Sequence, residues 1–429
     1  MKRTFQSFPV KDIDGTKKQM LNWASRFNIC CFMDNHHYQS AHHSYECLLA
    51  VGCKSTLNPT DSGKVSLNSF YEATEDWIFG HFNYEYGAEG GENYPASNIH
   101  STFPVSFLFV PEIIIILRGN ELEIGVTEDE HFSIYVQLIS TGIPFSITLP
   151  EIYFNSVFSR AEYLETVEQL IRHINRGDCY EINFCQEFYA DQVVLDPYNL
   201  YSSLTAISPN PFSAFYRIYD DYLVCASPER FLQKKGSSVI SQPIKGTSPR
   251  NFTNGLDDEV NRNALLASEK DRIENVMVVD LVRNDLSKIC EPGSVKVDEL
   301  FGIYTFPQLY QMISTISGIL KPGMFINDIL TATFPMGSMT GAPKMKVMEL
   351  IRIYEKSRRG IYSGSLGYIT PQKDFDFNVV IRSILYNSKN QILSYQVGGG
   401  ITTNSIPEME YEECMAKVAA IKRVFSNKD

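Results

Sequence analysis

The 429-residue chain predicts a mixed α and β fold, and three observations carry that reading. Its composition, 44% hydrophobic with 12% aromatic and 21% charged residues, is that of a globular protein with a sizeable core. At about 100–200 residues per domain it holds two or three structural units. Short apolar, β-branched runs at Tyr222–Ala226, Val239–Ile244, Val379–Tyr386 and Ile392–Val397 predict strands separated by long helical patterns. Ser159 and Glu162 form a capping-box pair ahead of Tyr163, Val167, Leu170, Ile171 and Ile174, which recur at helical spacing until Gly177 and predict a helix with one buried face.

Taken in chain order, residues 1 to about 149 are aromatic-rich and strand-like, with turn signals at Asp14-Gly15, Ala88-Glu89-Gly90-Gly91 and Gly119-Asn120. Val105–Leu117 reads as strands, because Pro111 and Glu112 interrupt it and it is shorter than the roughly 20 apolar residues of a membrane helix. A boundary signal at Pro150 and Asn155 divides the chain into 1–150 and 151–429. Asp257 to Lys288 lacks Pro and Gly, which suits one long helix or two closely joined ones. Lys356-Ser357-Arg358-Arg359 is expected on a solvated face.

Thirty-eight Lys and Arg against 50 Asp and Glu give a net charge of −12, the wrong sign for coating a polyphosphate backbone, so no nucleic-acid partner is expected. The N-terminus, MKRTFQSFPVKD, has charge without an apolar segment behind it, and no secretory signal or membrane association is expected. Nine cysteines without a C-x-x-C pair suit reduced thiols and a cytoplasmic location. The eight histidines all lie between His36 and His173, so nothing later in the chain uses imidazole. No H-E-x-x-H helix exists, and the pairs His36-His37 and His42-His43 read as a polar loop.

Two helix faces carry paired acids. Asp271 and Glu274 lie three residues apart in SEKDRIEN, as do Glu410 and Glu413 in EMEYEECMAKV, with Lys417 continuing the second face. Such pairs usually mean solvation; if the two faces converge, they suit Mg²⁺ held by few protein oxygens and several waters. The glycine-rich stretches GSMTGAPK (337–344), GIYSGSLG (360–367) and VGGGIT (397–402) match neither a Walker loop nor a dinucleotide fingerprint. They serve either as tight turns or as places where backbone amides approach an anion. Arg382, inside the apolar FNVVIRSI, is a snorkelling surface residue or a bidentate carboxylate clamp. Lys245 in PIKGTSPR is normally an exposed strand-end lysine; buried beside apolar groups, its amine would lose its proton more readily and become a nucleophile.

Ten ordered blocks over roughly residues 155–424 together resemble the chorismate-utilising enzyme family, most closely its aminodeoxychorismate synthase branch: GDCYEIN, SPERF, PIKGTSPR, SEKDRIENVMVVDLVRNDLSKI, STISG, GSMTGAPKMKVMELI, IYSGSLGY, DFNVVIRS, VGGGIT and EYEECMAKV. The resemblance implies an α+β fold of two packed antiparallel sheets flanked by helices. Residues 1–150 would be a variable subdomain intertwined with the core, and 151–429 the chorismate-binding catalytic region. It implies Mg²⁺ on Glu274 and Glu413, with Asp271 and Glu410 behind them through water. Tyr362, Arg382, Lys417 and the amides of Gly398, Gly399 and Gly400 would hold the second carboxylate, and Ser338 and Thr247 would line the substrate site. Glu229 in SPERF would be the general acid, kept protonated by burial rather than paired with Arg230. Lys245 would add to the ring as the hydroxyl leaves and be displaced by ammonia, which implies 4-amino-4-deoxychorismate as product.

Two positions depart from the family pattern. Glu181 stands where amine-using members usually have Gln and water-using members a lysine base, and Gln311 stands where His is usual. Glutamine forms hydrogen bonds but carries no proton. Tryptophan feedback is not expected, since YECLLAVG only partly echoes the L-L-E-S stretch linked to it. No G-x-C-x-G nucleophile elbow is present, so ammonia is expected from a separate glutamine amidotransferase subunit, and no lyase segment is expected after the second acid pair. Competing readings are an anthranilate synthase large subunit, which would carry Ala at position 245, and a non-catalytic chorismate-binding subunit.

Overall fold

A computed structural model describes residues 2–425 apart from 39–41, 44, 58–66, 88–99, 144–147, 253–254 and 307–308. The turn expected at Ala88 to Gly91 lies outside the described residues. Two antiparallel sheets form the frame. The first runs, in spatial order, through Thr4–Pro9, Glu121–Val126, Ile113–Arg118, Cys47–Val51, Ile29–Asp34, Phe212–Ile218, Asp221–Ser227, Ser383–Asn387, Ile392–Ile401, Glu181–Ala190 and Gly341–Ala342. The second runs through Ile244–Pro249, Leu309–Ile319, Ser238–Gln242, Arg230–Lys235, Phe375–Asn378, Ser365–Ile369, Ile78–Phe82, Ser106–Val110 and Ser55–Leu57, with Lys296–Thr305 also paired to Leu309–Ile319. Both sheets are shared by strands from before and after residue 150, which meet at one junction in each: Ile29–Asp34 beside Phe212–Ile218, and Ile78–Phe82 beside Ser365–Ile369.

The sheets meet across a dry seam of Cys31, Phe79, Phe109, Tyr216 and Leu366, where inward residues of both interdigitate. The outer face of the first sheet is covered by Arg160–Asn175, Pro197–Ile207 and Pro407–Val424, burying Val167, Phe184, Leu200, Tyr395 and Val418. Glu269–Ile289 and Ile326–Thr333 cover the second through Val278, Val282, Leu286 and Ile329. The expected helix begins at Arg160 with the Ser159–Glu162 capping box in place. The Asp257 to Lys288 region is two helices, Gly255–Ala267 and Glu269–Ile289, with Ser268 between them capping the second.

Four local expectations are corrected. Asp14-Gly15 is the first turn of helix Ile13–Ala24, because Asp12 accepts from the Gly15 N–H at 2.9 Å and caps it. Val239–Ile244 breaks at Pro243, which has no N–H for a ladder, into Ser238–Gln242 and Ile244–Pro249. Val379–Tyr386 is not one strand: Phe375–Asn378 belongs to the second sheet and Ser383–Asn387 to the first, and Arg382 turns the corner with φ 51°. Arg359 is not solvated. It is 1% exposed, paired with Glu355 at 2.6 Å, and donates to the carbonyls of Asn183 and Met339 at 2.7 and 2.5 Å.

The chain also crosses between sheets at Pro228-Glu229, between Asp221–Ser227 and Arg230–Lys235. These two strands pair with Ser383–Asn387 and Phe375–Asn378 respectively, so the crossings that carry Glu229 and Arg382 lie side by side. The Val379 N–H donates to the Glu229 carbonyl at 3.0 Å and ties them together. At that corner the chain passes twice from one layer to the other, carrying Glu229 and Arg382 together.

Candidate active site

Lys245 follows the Pro243 break and reaches inward, with its side chain only 11% exposed. Its Nζ donates to Glu181 Oε1 at 2.6 Å and lies 4.0 Å from Glu274 Oε2. The condition set by the sequence, burial beside apolar groups, is therefore not met. Burial pulls the lysine pKa down, but the Glu181 and Glu274 charges outweigh it and the net shift is upward, so the resting ammonium is held charged.

Glu229, 4% exposed, is a different carboxyl. Burial pushes its pKa up to about 7, against the Ser338 hydroxyl and the Lys245 and Arg382 charges. Ser338 is buried beside it, and its Oγ closes no hydrogen bond of ordinary geometry. Arg230 does not pair with Glu229: its guanidinium is held by Asp376 at 2.9 and 3.0 Å and by Gln242. The Arg382 guanidinium has no hydrogen bond or ion pair among the described residues, and burial lowers its pKa to about 10 while Glu229 and Tyr38 pull it back. A buried cation without a protein anion of its own is suited to an incoming carboxylate.

Helices Glu269–Ile289 and Pro407–Val424 bring three of the four acids together around one cation, the ammonium of Lys270. Its Nζ lies 3.9 Å from Glu274 Oε1, 3.8 Å from Glu410 Oε1 and 3.5 Å from Glu413 Oε2. Among the described residues no three such side chains close tightly enough to hold a metal as they stand. The fit to a small divalent cation is nevertheless chemically sound, since hard oxygen donors from two helices already surround a positive charge. Asp271 stands apart, packed on Gly246, where a Cβ would come within 2.9 Å of it; this glycine, at φ 90°, admits no side chain.

Gly398, Gly399 and Gly400 pair with Cys185, Phe184 and Asn183 on one side. On the other, pairing with Ser383–Asn387 ends at Tyr395, so this edge has no strand partner there. A Cβ on Gly400 would lie 2.8 Å from Glu181 Oε1, 3.2 Å from Lys245 Nζ and 3.6 Å from Glu274 Oε2, which places all four residues at one point. Lys417 donates to the Gly398 carbonyl at 3.0 Å and pairs with Glu413 at 2.9 Å, and its charge holds the Glu413 carboxyl below the usual range. Tyr362 is buried with its hydroxyl 4.0 Å from Cys185 Sγ, a different set of neighbours from Arg382. Thr247 is exposed on an edge strand opposite Gln311. Gln311 is fully buried, and neither of its amide atoms has a hydrogen-bond partner.

GSMTGAPK and GIYSGSLG are structural approaches. Gly341 pairs with Ile182, and Gly364 packs where a Cβ would lie 2.9 Å from the Ile361 carbonyl. Lys270 escaped the sequence reading, though its position four residues before Glu274 was a usable signal; buried Asn275, whose Nδ2 lacks a partner, had none.

The chain matches the family model described as chorismate binding enzyme over residues 34–423. It is 38% identical over 291 residues to aminodeoxychorismate synthase component 1 of Salmonella typhimurium, covering 68% of this chain and 63% of that protein. It is 37% identical over 270 residues to the Bacillus subtilis protein of the same name, covering 63% and 57%. The match thus spans less than two thirds of those relatives. Among solved structures, anthranilate synthase component I of Streptococcus pneumoniae superposes with a TM-score of 0.71 at 23% identity, over 98% of this chain and 92% of that one, which establishes the two-sheet α+β fold.

Proposed function

The chain belongs to the chorismate binding enzyme family, and we propose that it is component 1 of an aminodeoxychorismate synthase, joining ammonia to chorismate to give 4-amino-4-deoxychorismate. The observation that carries this is Lys245 Nζ in the same charge cluster as the raised-pKa Glu229. A nucleophile and an acid are then available to one small substrate. In this reading Lys245 first gives its ammonium proton to solvent; the Glu229 carboxyl then gives its proton to the departing ring hydroxyl, which leaves as water, while the now neutral Lys245 amine forms a carbon–nitrogen bond to the ring. Ammonia then forms the product bond as the bond to Lys245 breaks and the amine is regenerated.

Arg382 and the open edge at Gly398–Gly400 would take one substrate carboxylate. Glu274, Glu410 and Glu413 would hold Mg²⁺ in place of the Lys270 ammonium, with Asp271 farther out; the ion would neutralise and orient the other carboxylate. Chorismate and ammonia are the proposed small partners, a separate glutamine amidotransferase the proposed protein partner, and the cytoplasm the proposed location. Among the described residues no helix is long and apolar enough to cross a membrane.

The test is mass-resolved chromatography of products from purified protein, chorismate, Mg²⁺ and excess ammonium at mildly alkaline pH, with a metal-free control. A metal-dependent aminodeoxychorismate peak is expected. Anthranilate would mean that Lys245 does not attack the ring, isochorismate that the site activates water, and no product with an amidotransferase present that the chain only binds.

A further inference from the structure

Glu181 stands at the start of the strand Glu181–Ala190, next to last in the first sheet, is 2% exposed, and spends one carboxylate oxygen on Lys245 at 2.6 Å. Its other oxygen, Oε2, is buried without a partner. The Arg230–Asp376 pair, by contrast, has both carboxylate oxygens taken by Arg230 and Gln233. The neighbouring chain is shaped around the pair, because a Cβ on Gly400 would press on both Glu181 Oε1 and Lys245 Nζ. A lysine side chain otherwise has four torsions to lose before its amine points anywhere. We propose that Glu181 is the positioning residue for Lys245, fixing its nitrogen over Gly400 for attack on the substrate, and that position 400 lacks a side chain to leave room for this contact.

The inference rests on the reading of Lys245 as the attacking amine. Glu181 itself forms no bond to substrate. Its carboxylate sets where the nitrogen sits, and the unpaired oxygen lets it do so without anchoring to a third group. Displacing a reacting atom by about 1 Å costs on the order of 10²-fold in rate.

The experiment measures kcat and the KM for chorismate in ammonium-driven turnover, with the melting temperature, for wild type, Glu181→Gln, Glu181→Leu and Gly400→Ala. Glu181→Leu, which removes the acceptor, is expected to lose about 100-fold in kcat with KM within about threefold; Glu181→Gln, which keeps one, about tenfold or less. Gly400→Ala keeps both side chains but fills their space, so a kcat loss of about 30-fold or more is expected, and this variant decides the matter if Glu181→Leu does not fold. Three results overturn the proposal: an unchanged kcat in Glu181→Leu, kcat, KM and melting falling together in all variants, or Glu181→Gln no better than Glu181→Leu. A wild type that makes no aminated product removes the functional reading and this inference with it. Product formation that is indifferent to position 181 removes this inference alone.

Discussion

Two buried charge clusters in this protein are built on opposite terms. Around Arg230, the guanidinium and Asp376 exchange two hydrogen bonds, Gln242 accepts from one arm, and Gln233 and the His42 carbonyl complete the set. Around Lys245, Glu181 accepts with one oxygen at 2.6 Å, and its buried Oε2 has no partner among the described residues. Leaving a buried polar atom unpaired costs about 1–3 kcal/mol. The saturated cluster ties three strands of the second sheet together; the cluster around Lys245 is the proposed substrate site.

Substitutions in the two clusters should therefore separate activity from stability. Lys245→Ala is expected to lower ammonium-driven product formation by about 10³-fold or more, a far larger loss than the drop in melting that follows from Glu181 losing its partner, read by product assay and calorimetry. Glu229→Gln should lower kcat by about 10²–10⁴-fold. Because burial raises Glu229 from 4.5 to about 7, the folded state binds a proton in that interval that the unfolded state has lost, and wild-type stability falls as pH rises through it. Glu229→Gln removes that loss, so its stability relative to wild type should grow from pH 5 to pH 8, by about 1–3 kcal/mol in denaturant titrations. No such growth would mean that Glu229 ionises normally.

The pH profile of kcat/KM sharpens the same contrast. A protonated Glu229 and a neutral Lys245 are both needed, so the profile should climb with pH up to about 7 and then level off, the loss of the Glu229 proton cancelling the continuing gain in neutral Lys245. In the saturated cluster, Arg230→Ala should cost about 3–5 kcal/mol of stability, because the Asp376 charge loses its cation and keeps only the Gln233 amide as a donor. Any protein that still folds should keep its nucleophile. The smallest effect belongs to the rim: Lys270→Met should tighten Mn²⁺ binding, followed by electron paramagnetic resonance, by about three- to tenfold, since the lysine is 56% exposed and its competition is screened.

Local patterns that depend on neighbours in the chain were legible without coordinates. The Ser159 capping box, the paired helices after Asp257, the strands around Val105 to Leu117 and the acid spacing at 271/274 and 410/413 all follow from periodicity and capping, which act over a few residues. The ordered motif blocks likewise identified the family and named Lys245, Glu229 and the acids as candidates. Arg359 shows where such reading stops, since a basic cluster looks the same whether water or Glu355 receives it.

Tertiary structure alone decided the environment of each charge. The run Val379–Tyr386 is apolar apart from Arg382 and Ser383, and only the assignment of its two ends to different sheets makes it a corner that delivers Arg382 beside Glu229. The sequence marked Lys245 as reactive if it lay among apolar groups; packing placed it against Glu181 and Glu274, across 64 and 29 intervening steps of chain. Propensity and periodicity are sums over near neighbours, so they determine elements and candidates. A pKa, an ion pair or an unfilled hydrogen bond is set by atoms a few ångströms away in space, and those arrive from any part of the chain.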